Sequence, residues 1–321
     1  MNQQSIPAIS VRGLRKSYKQ KVVLDGIDLD VAPGSIFALL GPNGAGKTTM
    51  VHILTTLLRP DGGEARVGGF DVTADADGVR SLIGLTGQFA AVDTLLTGRE
   101  NLQLMADLRH LPKRQGRARV DALLEQFDLV EAAGKPLSTY SGGMRRRLDL
   151  AMTLVDEPRI IFLDEPTTGL DPRSRRTMWQ IVRGLADRGV TIFLTTQYLE
   201  EADELADRIA LLDGGRFVAE GTATELKRRI GGGRIRLQFA DATALATAAD
   251  ALVGAADGIE RDDETLTLEV PSDGGFGSVK QVLGRLDDGA PVEGLEIRTP
   301  DLDDVFFALT GHGTQTKENA R

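Results

Sequence analysis

The sequence predicts an α/β domain followed by a smaller α+β domain, and three observations predict this fold class. Residues 35–40 form an apolar strand that leads through a glycine-rich loop into a helix with apolar spacing at 47–58. Residues 159–163 are a continuous apolar strand, as expected in a sheet that is covered on both faces. A run of three glycines at 231–233 separates this part from a second alternation of strands and helices.

The elements of the first domain follow from the spacing of its apolar residues. Residues 8–31 alternate apolar and polar side chains around a turn predicted at Asp25-Gly26, which indicates short strands. Residues 99–155 have helical spacing. The remaining predicted elements are helix 173–188, strand 190–195, helix 198–206, strands around 208–219 and helix 222–229.

The glycine run is the predicted domain boundary, so the first domain covers residues 1–230 and an accessory domain covers 231–311. We expect residues 312–321 to be a disordered tail. The order of elements in the accessory domain resembles a ferredoxin-like unit. Its predicted elements are strand 234–239, helix 241–253, strands 258–262 and 265–270, helix 277–286, strand 293–298 and helix 301–309.

The composition excludes several classes of protein. With 41% hydrophobic and 26% charged residues, the chain is neither collagen-like nor wholly disordered, and the absence of cysteine excludes disulfides and thiolate chemistry. Residues 231–321 carry 8 Lys/Arg against 17 Asp/Glu and so account for the whole net charge of −9. A neutral domain with an acidic one attached argues against general nucleic-acid binding, which needs a surplus of Lys and Arg.

We also expect no secretion signal and no direct insertion into a bilayer. The first ten residues lack the pattern of a signal peptide. No stretch reaches the roughly 18 apolar residues that span a membrane. Any membrane association is therefore expected through a partner.

The glycine-rich loop carries the strongest chemical signal. It matches the G-x-x-x-x-G-K-[ST] phosphate loop and lies between a strand and a helix, which a chance glycine-rich turn would not require. Its N–H groups and the positive end of the following helix would bind phosphate oxygens, while Lys47 adds a charge and Thr48 a hydroxyl ligand for Mg²⁺. The predicted residues are Gly41, Pro42, Asn43, Gly44, Ala45, Gly46, Lys47, Thr48 and Thr49.

Two carboxylates, Asp164 and Glu165, follow directly on the strand at 159–163. A carboxylate at the end of a buried parallel strand lies beside the phosphate loop, so we expect Asp164 to hold Mg²⁺. Glu165 is the predicted general base that polarises the attacking water. In isolation, such an acidic pair would be interpreted as a solvated turn.

Four further segments match patterns of a known family. They are Tyr-Ser-Gly-Gly-Met-Arg-Arg-Arg at 140–147, Gly-Leu-Asp-Pro at 169–172, Leu-Thr-Thr-Gln-Tyr-Leu-Glu-Glu-Ala-Asp at 194–203, and Leu-Asp-Asp-Val-Phe-Phe-Ala-Leu-Thr-Gly at 302–311. Together with the phosphate loop and the acidic pair, these segments resemble the nucleotide-binding subunits of ABC transporters over residues 8 to about 225, and in particular the daunorubicin-resistance type of multidrug exporter ATPase over both domains. The resemblance implies a P-loop NTPase fold with a mixed sheet core and a helical subdomain at about 89–155.

The resemblance implies a homodimer with two ATP molecules at its interface. Ser141, Gly142 and Gly143 would open a helix and bind the γ-phosphate held by the opposite subunit. Asp171 would belong to the nucleotide-binding set. Neither half-site would be complete in one chain, so binding would close the dimer and hydrolysis would open it.

Other residues gain a role only through the resemblance. Tyr18 would stack on adenine, where the alternative is an ordinary strand tyrosine. Gln88 would contact Mg²⁺ and couple to the permease. Gln197 stands where the family usually has a histidine, and we expect a neutral γ-phosphate sensor there, because glutamine can donate and accept but cannot carry the proton.

A further departure concerns the helix that is predicted to begin at Ser141. Met144 replaces the usual glutamine and leaves the helix N-terminus intact. The arginines at 145–147, like those at 173, 175 and 176, are expected on exposed helix faces. His52 and His110 are expected to be a helix-surface residue and a loop residue, and not substitutes for the missing histidine.

The predicted function is an Mg²⁺-dependent ATPase subunit of an exporter, at the cytoplasmic face of the cell membrane beneath a separate permease. One alternative is an importer subunit, which shares every catalytic motif. Another is a soluble ABC ATPase acting on nucleic acid or ribosomes. Such proteins insert a long coiled coil or carry two cassettes, whereas Lys47 and Ser141 are 94 positions apart here without a heptad run.

Overall fold

The structure is a computed structural model that describes residues 6–88, 91–229, 233–252, 258–272, 275–286, 291–298 and 300–310. The chain divides into two compact units, Met1–Ala223 and Thr224–Arg321. This division lies one helix before the predicted boundary at 230/231, which itself stays a prediction because residues 230–232 lie outside the described ones. The predicted tail at 312–321 also lies outside them.

The first unit contains the elements that position the candidate site. Its strands are β1 (Ile9–Tyr18), β2 (Lys21–Val31), β3 (Ile36–Leu40), β4 (Gly62–Val67), β5 (Phe70–Asp71), β6 (Ile83–Thr86), β7 (Ile160–Asp164), β8 (Thr191–Thr196), β9 (Arg208–Asp213) and β10 (Arg216–Gly221). Its helices are α1 (Lys47–Leu54), α2 (Ala76–Arg80), α3 (Gly98–Leu108), α4 (Lys113–Gln126), α5 (Gly142–Thr153), α6 (Pro172–Ala186) and α7 (Leu199–Leu205). Short 3-10 turns lie at Val130–Ala132 and Leu137–Thr139.

An antiparallel sheet of order β2-β1-β4-β5 begins the fold. The turn predicted at Asp25-Gly26 is wrong, because Tyr18 pairs with Lys21 and the chain reverses between them. Gly26 lies inside β2 at a register shift, where Leu14 pairs with Ile27 but the next residue pairs with Asp25. Its φ of 72° is the left-handed value that a bulge and a tight turn both favour, so the dipeptide alone did not distinguish them.

A second, mixed sheet has the order β10-β9-β3-β8-β7-β6. The strands from β9 to β6 are parallel, and β10 is an antiparallel edge strand. Strands β3, β7 and β8 are buried along their whole length, which explains their continuous apolar sequences. The predicted mixed sheet core is therefore confirmed.

Helix α1 packs its apolar residues into a core that both sheets share. Met50, Val51, Ile53 and Leu54 are buried in this core. The helix ends at Leu54, earlier than the predicted residue 58, and Thr56 adopts a left-handed φ of 65°. The apolar spacing continues beyond the helix because Leu58 packs against the same core from a non-helical turn.

The helices α3, α4 and α5 occupy the predicted helical subdomain. Thr97 begins α3 with a capping box, in which its side chain accepts from the N–H of Glu100 and the Glu100 carboxylate accepts from the N–H of Thr97. Phe89 and Ala90, at the start of the predicted subdomain, lie outside the described residues.

The division between the units falls after the first residue of α8 (Ala223–Arg229), and the second unit contains the predicted β-α-β-β-α-β order. Its antiparallel sheet has the order β12-β13-β11-β14, and α9 and α10 contribute to its core. The ferredoxin-like assignment stays a prediction. The elements are β11 (Gly233–Phe239), α9 (Ala242–Leu252), β12 (Glu260–Asp262), β13 (Thr267–Ser272), α10 (Phe276–Leu283), β14 (Val292–Arg298) and α11 (Leu302–Thr310).

Among the described residues, none of the helices combines the length and the apolar character needed to cross a membrane.

Candidate nucleotide-binding and hydrolysis site

The carboxyl edge of the parallel strands brings the predicted site segments together. Leu40 at the end of β3 pairs with Thr196 at the end of β8, and Asp164 at the end of β7 pairs with Thr195. Strand β6 is parallel to β7 and ends in register with it. The loops that follow these four strands therefore leave the sheet at one edge, which is where open α/β sheets bind ligands.

The phosphate loop is shaped by two glycines that touch neighbouring strands. A Cβ at Gly41 would collide with the carbonyl oxygen of Leu212 in β9. A Cβ at Gly46 would lie 2.9 Å from the carbonyl oxygen of Val23 in β2, and Gly46 has a φ of 114°. Both positions therefore require glycine, for reasons of space at Gly41 and of space and backbone conformation at Gly46.

Lys47 begins α1 and is held by the loop itself. Its Nζ donates to the carbonyl oxygens of Gly41 at 2.8 Å and Pro42 at 3.2 Å and lies 3.3 Å from Oε1 of Glu165. Burial lowers the pKa of Lys47, and the negative charge of Glu165 opposes that shift. These contacts hold the ammonium group between the loop carbonyls and the carboxylate of Glu165.

Asp164 lies next to the N-terminus of α1. Its Oδ2 accepts a hydrogen bond of 2.9 Å from the Thr48 hydroxyl, and its Oδ1 accepts one from the Thr195 hydroxyl. Only 3% of Asp164 is exposed. These bonds fix the orientation of the carboxylate beside Thr48.

Glu165 follows Asp164 in a left-handed turn with a φ of 49°. Its N–H donates to the carbonyl and hydroxyl oxygens of Thr195, and its Oε2 accepts from the Thr168 hydroxyl at 3.3 Å. A non-glycine residue in this conformation is strained, and such strain is concentrated at functional sites. The turn directs the Glu165 carboxylate to the ammonium group of Lys47.

A cleft of about 350 Å³ lies over the loop and receives Glu165. Tyr18 and Gln88 line the same cleft, and their roles in adenine stacking and Mg²⁺ contact stay predictions. Tyr18 is 48% exposed, and the ammonium of Lys16 lies 5.8 Å from its ring centroid. The lining residues are Tyr18, Val23, Asn43, Gly44, Gly46, Lys47, Thr48, Thr49, Gln88 and Glu165.

Ser141 and Gly142 begin α5 on a different, exposed surface. The Ser141 hydroxyl accepts a hydrogen bond of 3.2 Å from the N–H of Met144 and so caps the helix. Gly143 is buried, and a Cβ there would lie 2.5 Å from Oγ of Ser174. Among the described residues, those that line the cleft include none of the three residues at 141–143.

Asp171 and Gln197 also lie outside the set that lines the cleft. Asp171 caps α6, where it accepts from the N–H and the hydroxyl of Ser174 at 2.9 and 2.6 Å. These bonds lower the pKa of Asp171. Gln197 follows β8 at the carboxyl edge and is half-buried. Their nucleotide roles stay predictions.

Comparison with known proteins identifies the family. The chain is 50% identical to "Daunorubicin resistance ATP-binding protein DrrA3" of Streptomyces coeruleorubidus over 98% of this chain and 99% of the relative. It is 48% identical to "Daunorubicin/doxorubicin resistance ATP-binding protein DrrA" of Streptomyces peucetius, over 97% of this chain and 95% of the relative. The ABC transporter family model matches residues 24–168. The chain belongs to the daunorubicin-resistance type of ABC transporter ATP-binding subunits.

Solved structures of ABC ATPases share the fold. The structure of cbiO1 from Clostridium perfringens matches with a TM-score of 0.64 and 25% identity, over 70% of this chain and 94% of that one. A dimeric post-hydrolysis state of the ATP-binding cassette MJ0796 with ADP and Pi matches with a TM-score of 0.61 and 26% identity, over 67% and 98%. The chain is thus an ABC-type ATP-hydrolysing enzyme.

The residues of this ABC ATPase fit Mg²⁺ as an ion shared with a nucleotide. Thr48 and Asp164 offer hard oxygen donors beside the cleft, and Gln88 lines it with an amide. Within the described part of the chain, no cluster of three or more His, Cys, Asp or Glu side chains could hold a metal. Mg²⁺ usually keeps several waters and binds substrate phosphates, and therefore needs only one or two protein carboxylates.

One prediction about the basic runs of this ABC ATPase is wrong. Arg146 is only 8% exposed, and its guanidinium bonds to main-chain carbonyls at the end of β7 and near Gln88. Its neighbours Arg145 and Arg147 are half-buried. A charge run usually indicates a solvated helix face, and the carbonyls that accept from Arg146 are too distant in sequence to signal its burial.

Sequence reasoning also missed two supporting residues. Thr195 bonds to both Asp164 and the Glu165 main chain, as described above. Glu201 in α7 is fully buried, and its Oε1 accepts from the Thr167 hydroxyl at 2.8 Å and the Trp179 indole at 3.1 Å. Burial raises the pKa of Glu201. Its place within the segment 194–203, which also contains Gln197, was the available signal.

Proposed function

We propose that this chain hydrolyses ATP as a head-to-tail homodimer and so powers export of a drug, lipid or other metabolite through a separate permease. The observation that carries the proposal is the separation of phosphate-binding groups in one chain. Lys47 and Glu165 lie together in the cleft, whereas Ser141 opens a helix on an exposed surface. Two copies in head-to-tail contact would combine the two surfaces into complete sites.

The cleft residues have distinct tasks in hydrolysis. The N–H groups of the phosphate loop and Lys47 bind the β- and γ-phosphates, and Lys47 then exchanges Glu165 for phosphate oxygens. Glu165 accepts a proton from water as the water oxygen attacks the γ-phosphorus. The bond from that phosphorus to the β–γ bridging oxygen breaks, and ADP and phosphate leave. Thr48, Asp164 and Gln88 would hold Mg²⁺, which would supply positive charge to stabilise the transferring phosphoryl group.

The remaining predicted residues recognise the nucleotide and its partner chain. Tyr18 stacks on adenine, and Gln197 senses the γ-phosphate through its amide. Ser141 and the N–H groups of Gly142 and Gly143 bind the γ-phosphate held by the other copy. Asp171 caps α6, the helix that contacts Gly143 through Ser174. This contact supports a position for Asp171 at the same proposed dimer interface.

The direction of transport is supported by the names of the relatives. Besides the resistance proteins, "Nod factor export ATP-binding protein I" of Rhizobium etli is 40% identical over 95% of this chain and 93% of the relative. We propose that this chain likewise works in export. It would lie at the cytoplasmic face of the cell membrane, bound to a separate permease.

The test is purification of the full chain from detergent-solubilised membranes of cells that produce it. We expect a multi-span membrane protein to co-purify and the pair to hydrolyse ATP with Mg²⁺. Cells that carry Lys47→Ala should accumulate an anthracycline that wild-type cells exclude. Co-purification of ribosomes or DNA in place of a membrane protein would contradict the proposal, and anthracycline exclusion unaffected by Lys47→Ala would contradict the drug-type substrate.

A further inference from the structure

The guanidinium of Arg146 joins α5 to the two segments that carry Gln88 and Glu165. Both segments are far from α5 in sequence, and every acceptor on them is a main-chain carbonyl. Nε donates to Pro166 at 2.9 Å, Nη2 donates to Asp164 at 3.2 Å and to Glu165 at 3.3 Å, and Nη1 donates to Gly87 at 2.7 Å.

Asp149, one turn later on α5, completes this connection. Its Oδ2 lies 3.2 Å from Nη1 of Arg146, and its Oδ1 accepts from the N–H of Ala91 at 3.0 Å. Gly87 and Ala91 lie on either side of Gln88, so the pair holds the chain before and after that residue. Burial lowers the pKa of Arg146 and raises that of Asp149, and each charge opposes the shift of the other.

The chemistry of the Arg146–Asp149 pair indicates a role beyond filling space in the core. A buried ion pair is costly, and apolar side chains of similar volume are often as stable or more so. The planar guanidinium can donate to several carbonyls at once, which the single ammonium of lysine cannot do in the same geometry. Without it, the Pro166 carbonyl would lose this donor, while the Glu165 carbonyl would still accept from the N–H of Thr168 at 3.3 Å. The strained turn would therefore be held by fewer hydrogen bonds.

We infer that Arg146 is a positioning residue for hydrolysis, which with Asp149 fixes the Glu165 turn and the Gln88 segment to α5. The inference rests on the roles proposed above for Glu165 and Gln88. Helix α5 begins at Ser141, so the helix that would meet the partner's nucleotide is bonded directly to the general base and to the Mg²⁺-contacting segment of its own chain.

The test compares Arg146→Gln, Arg146→Lys and Asp149→Asn with Arg147→Gln in the full-length chain. Arg147 is a matched control, because it lies on the same helix but donates to the carbonyl of Phe127 in the helical subdomain. Measured quantities are kcat and KM for ATP, the Mg²⁺ concentration for half-maximal turnover, the dissociation constant for ATP and the thermal unfolding midpoint.

We expect Arg146→Gln to lower kcat by about 100-fold while the dissociation constant for ATP changes little, as for a misplaced catalytic group. The half-maximal Mg²⁺ concentration should rise. Arg146→Lys should restore part of kcat, and Asp149→Asn should lower kcat in the same direction. Arg147→Gln should leave these values near wild type.

Equal loss of kcat and ATP affinity, in step with the unfolding midpoint, would show a merely structural role and overturn the inference. If Arg146→Gln does not fold, Arg146→Lys and Asp149→Asn decide by the same criteria. The variant Glu165→Gln distinguishes a failure of the proposed role of Glu165 from a failure of the positioning role of Arg146. Wild-type turnover in that variant would refute the proposed role of Glu165, whereas loss there with normal turnover in the Arg146 and Asp149 variants refutes the positioning role alone.

Discussion

The two surfaces proposed to bind phosphate differ in how far contacts within the chain organise them. In the cleft, Lys47 and Glu165 are nearly buried and form an ion pair of 3.3 Å that the loop carbonyls support. At the start of α5, Ser141 and Gly142 are exposed, and the Ser141 hydroxyl caps its own helix. The first surface is therefore set by contacts within the chain, whereas the second offers helix N–H groups outward.

The fold of one chain thus fully organises the cleft, whereas the start of α5 is proposed to need a second copy before it takes part in a site. Folding alone fixes the position of Glu165 through Thr195 and the strained turn. The N-terminus of α5 is equally well built as a helix cap, but we expect it to act only when another copy presents a nucleotide.

The strongest effect should come from Glu165, the proposed general base. Glu165→Gln should lower turnover by about 100- to 10,000-fold, as for loss of a positioned base, while ATP still binds. Phosphate release and equilibrium binding measure the two properties. Light scattering should show an ATP-bound dimer that accumulates in this variant. Glu200→Gln, an exposed acid of α7, is the control, and unchanged turnover in Glu165→Gln would remove the base from the mechanism.

A substitution at Ser141 tests whether the exposed start of α5 completes the site of another copy. Ser141→Arg should lower turnover by about 100-fold, as for loss of a transition-state donor, without weakening ATP binding to the monomer. Chains with Ser141→Arg mixed with Lys47→Ala chains should recover activity, because one site of the mixed dimer combines an intact loop with an intact Ser141.

Absence of any recovery in the mixture would count against the head-to-tail arrangement. So would weaker ATP binding by the Ser141→Arg monomer, since that would place Ser141 in the cleft of its own chain.

A smaller effect, on the free energy of unfolding, is expected when one glycine of each surface is replaced by alanine. Gly41→Ala should lower the free energy of unfolding by about 1–3 kcal/mol, because the new methyl group collides with the Leu212 carbonyl. Gly142→Ala should change it by less than about 1 kcal/mol and in the stabilising direction, since open space surrounds that position in a helix. Urea unfolding measures both. Equal destabilisation would mean that the two surfaces are equally constrained.

The smallest effect concerns pH. Burial raises the pKa of Glu201 above its ordinary 4.5, so the folded state binds this proton more tightly than the unfolded state. The resulting stability is complete below the unfolded pKa and is lost as the pH rises through the folded pKa, by up to about 1.4 kcal/mol per pH unit. Glu201→Gln should remove that loss in urea unfolding between pH 4.5 and 8. An unchanged pH dependence would show that Glu201 is not its source.

Much of the cleft could be predicted from sequence because its signals are local. The order strand, loop, helix and the spacing within the loop locate Lys47 and Thr48, and a buried strand that ends in Asp164 locates the acidic pair. Parallel strands bring such loops to one edge without further information. Gln88 is found in the cleft for the same reason.

What the sequence did not reveal depends on contacts between distant segments. Gly26 has the same left-handed backbone in a bulge as in the predicted turn, and only pairing with β1 distinguishes them. The burial of Arg146 depends on carbonyls at Gly87 and Pro166 that no spacing rule connects to α5. The exposed fraction of a charged side chain is thus a property of the assembled fold.

The close approach of Gly41 to β9 and of Gly46 to β2 limits how this nucleotide loop could be transplanted. The loop lies against backbone of both sheets, so the segment from β3 to α1 does not contain all the surfaces that define its curvature. A minimal phosphate-binding fragment would need parts of the antiparallel sheet as well as the parallel one. For protein engineering, the smallest autonomous unit is therefore larger than the motif by which the loop is recognised.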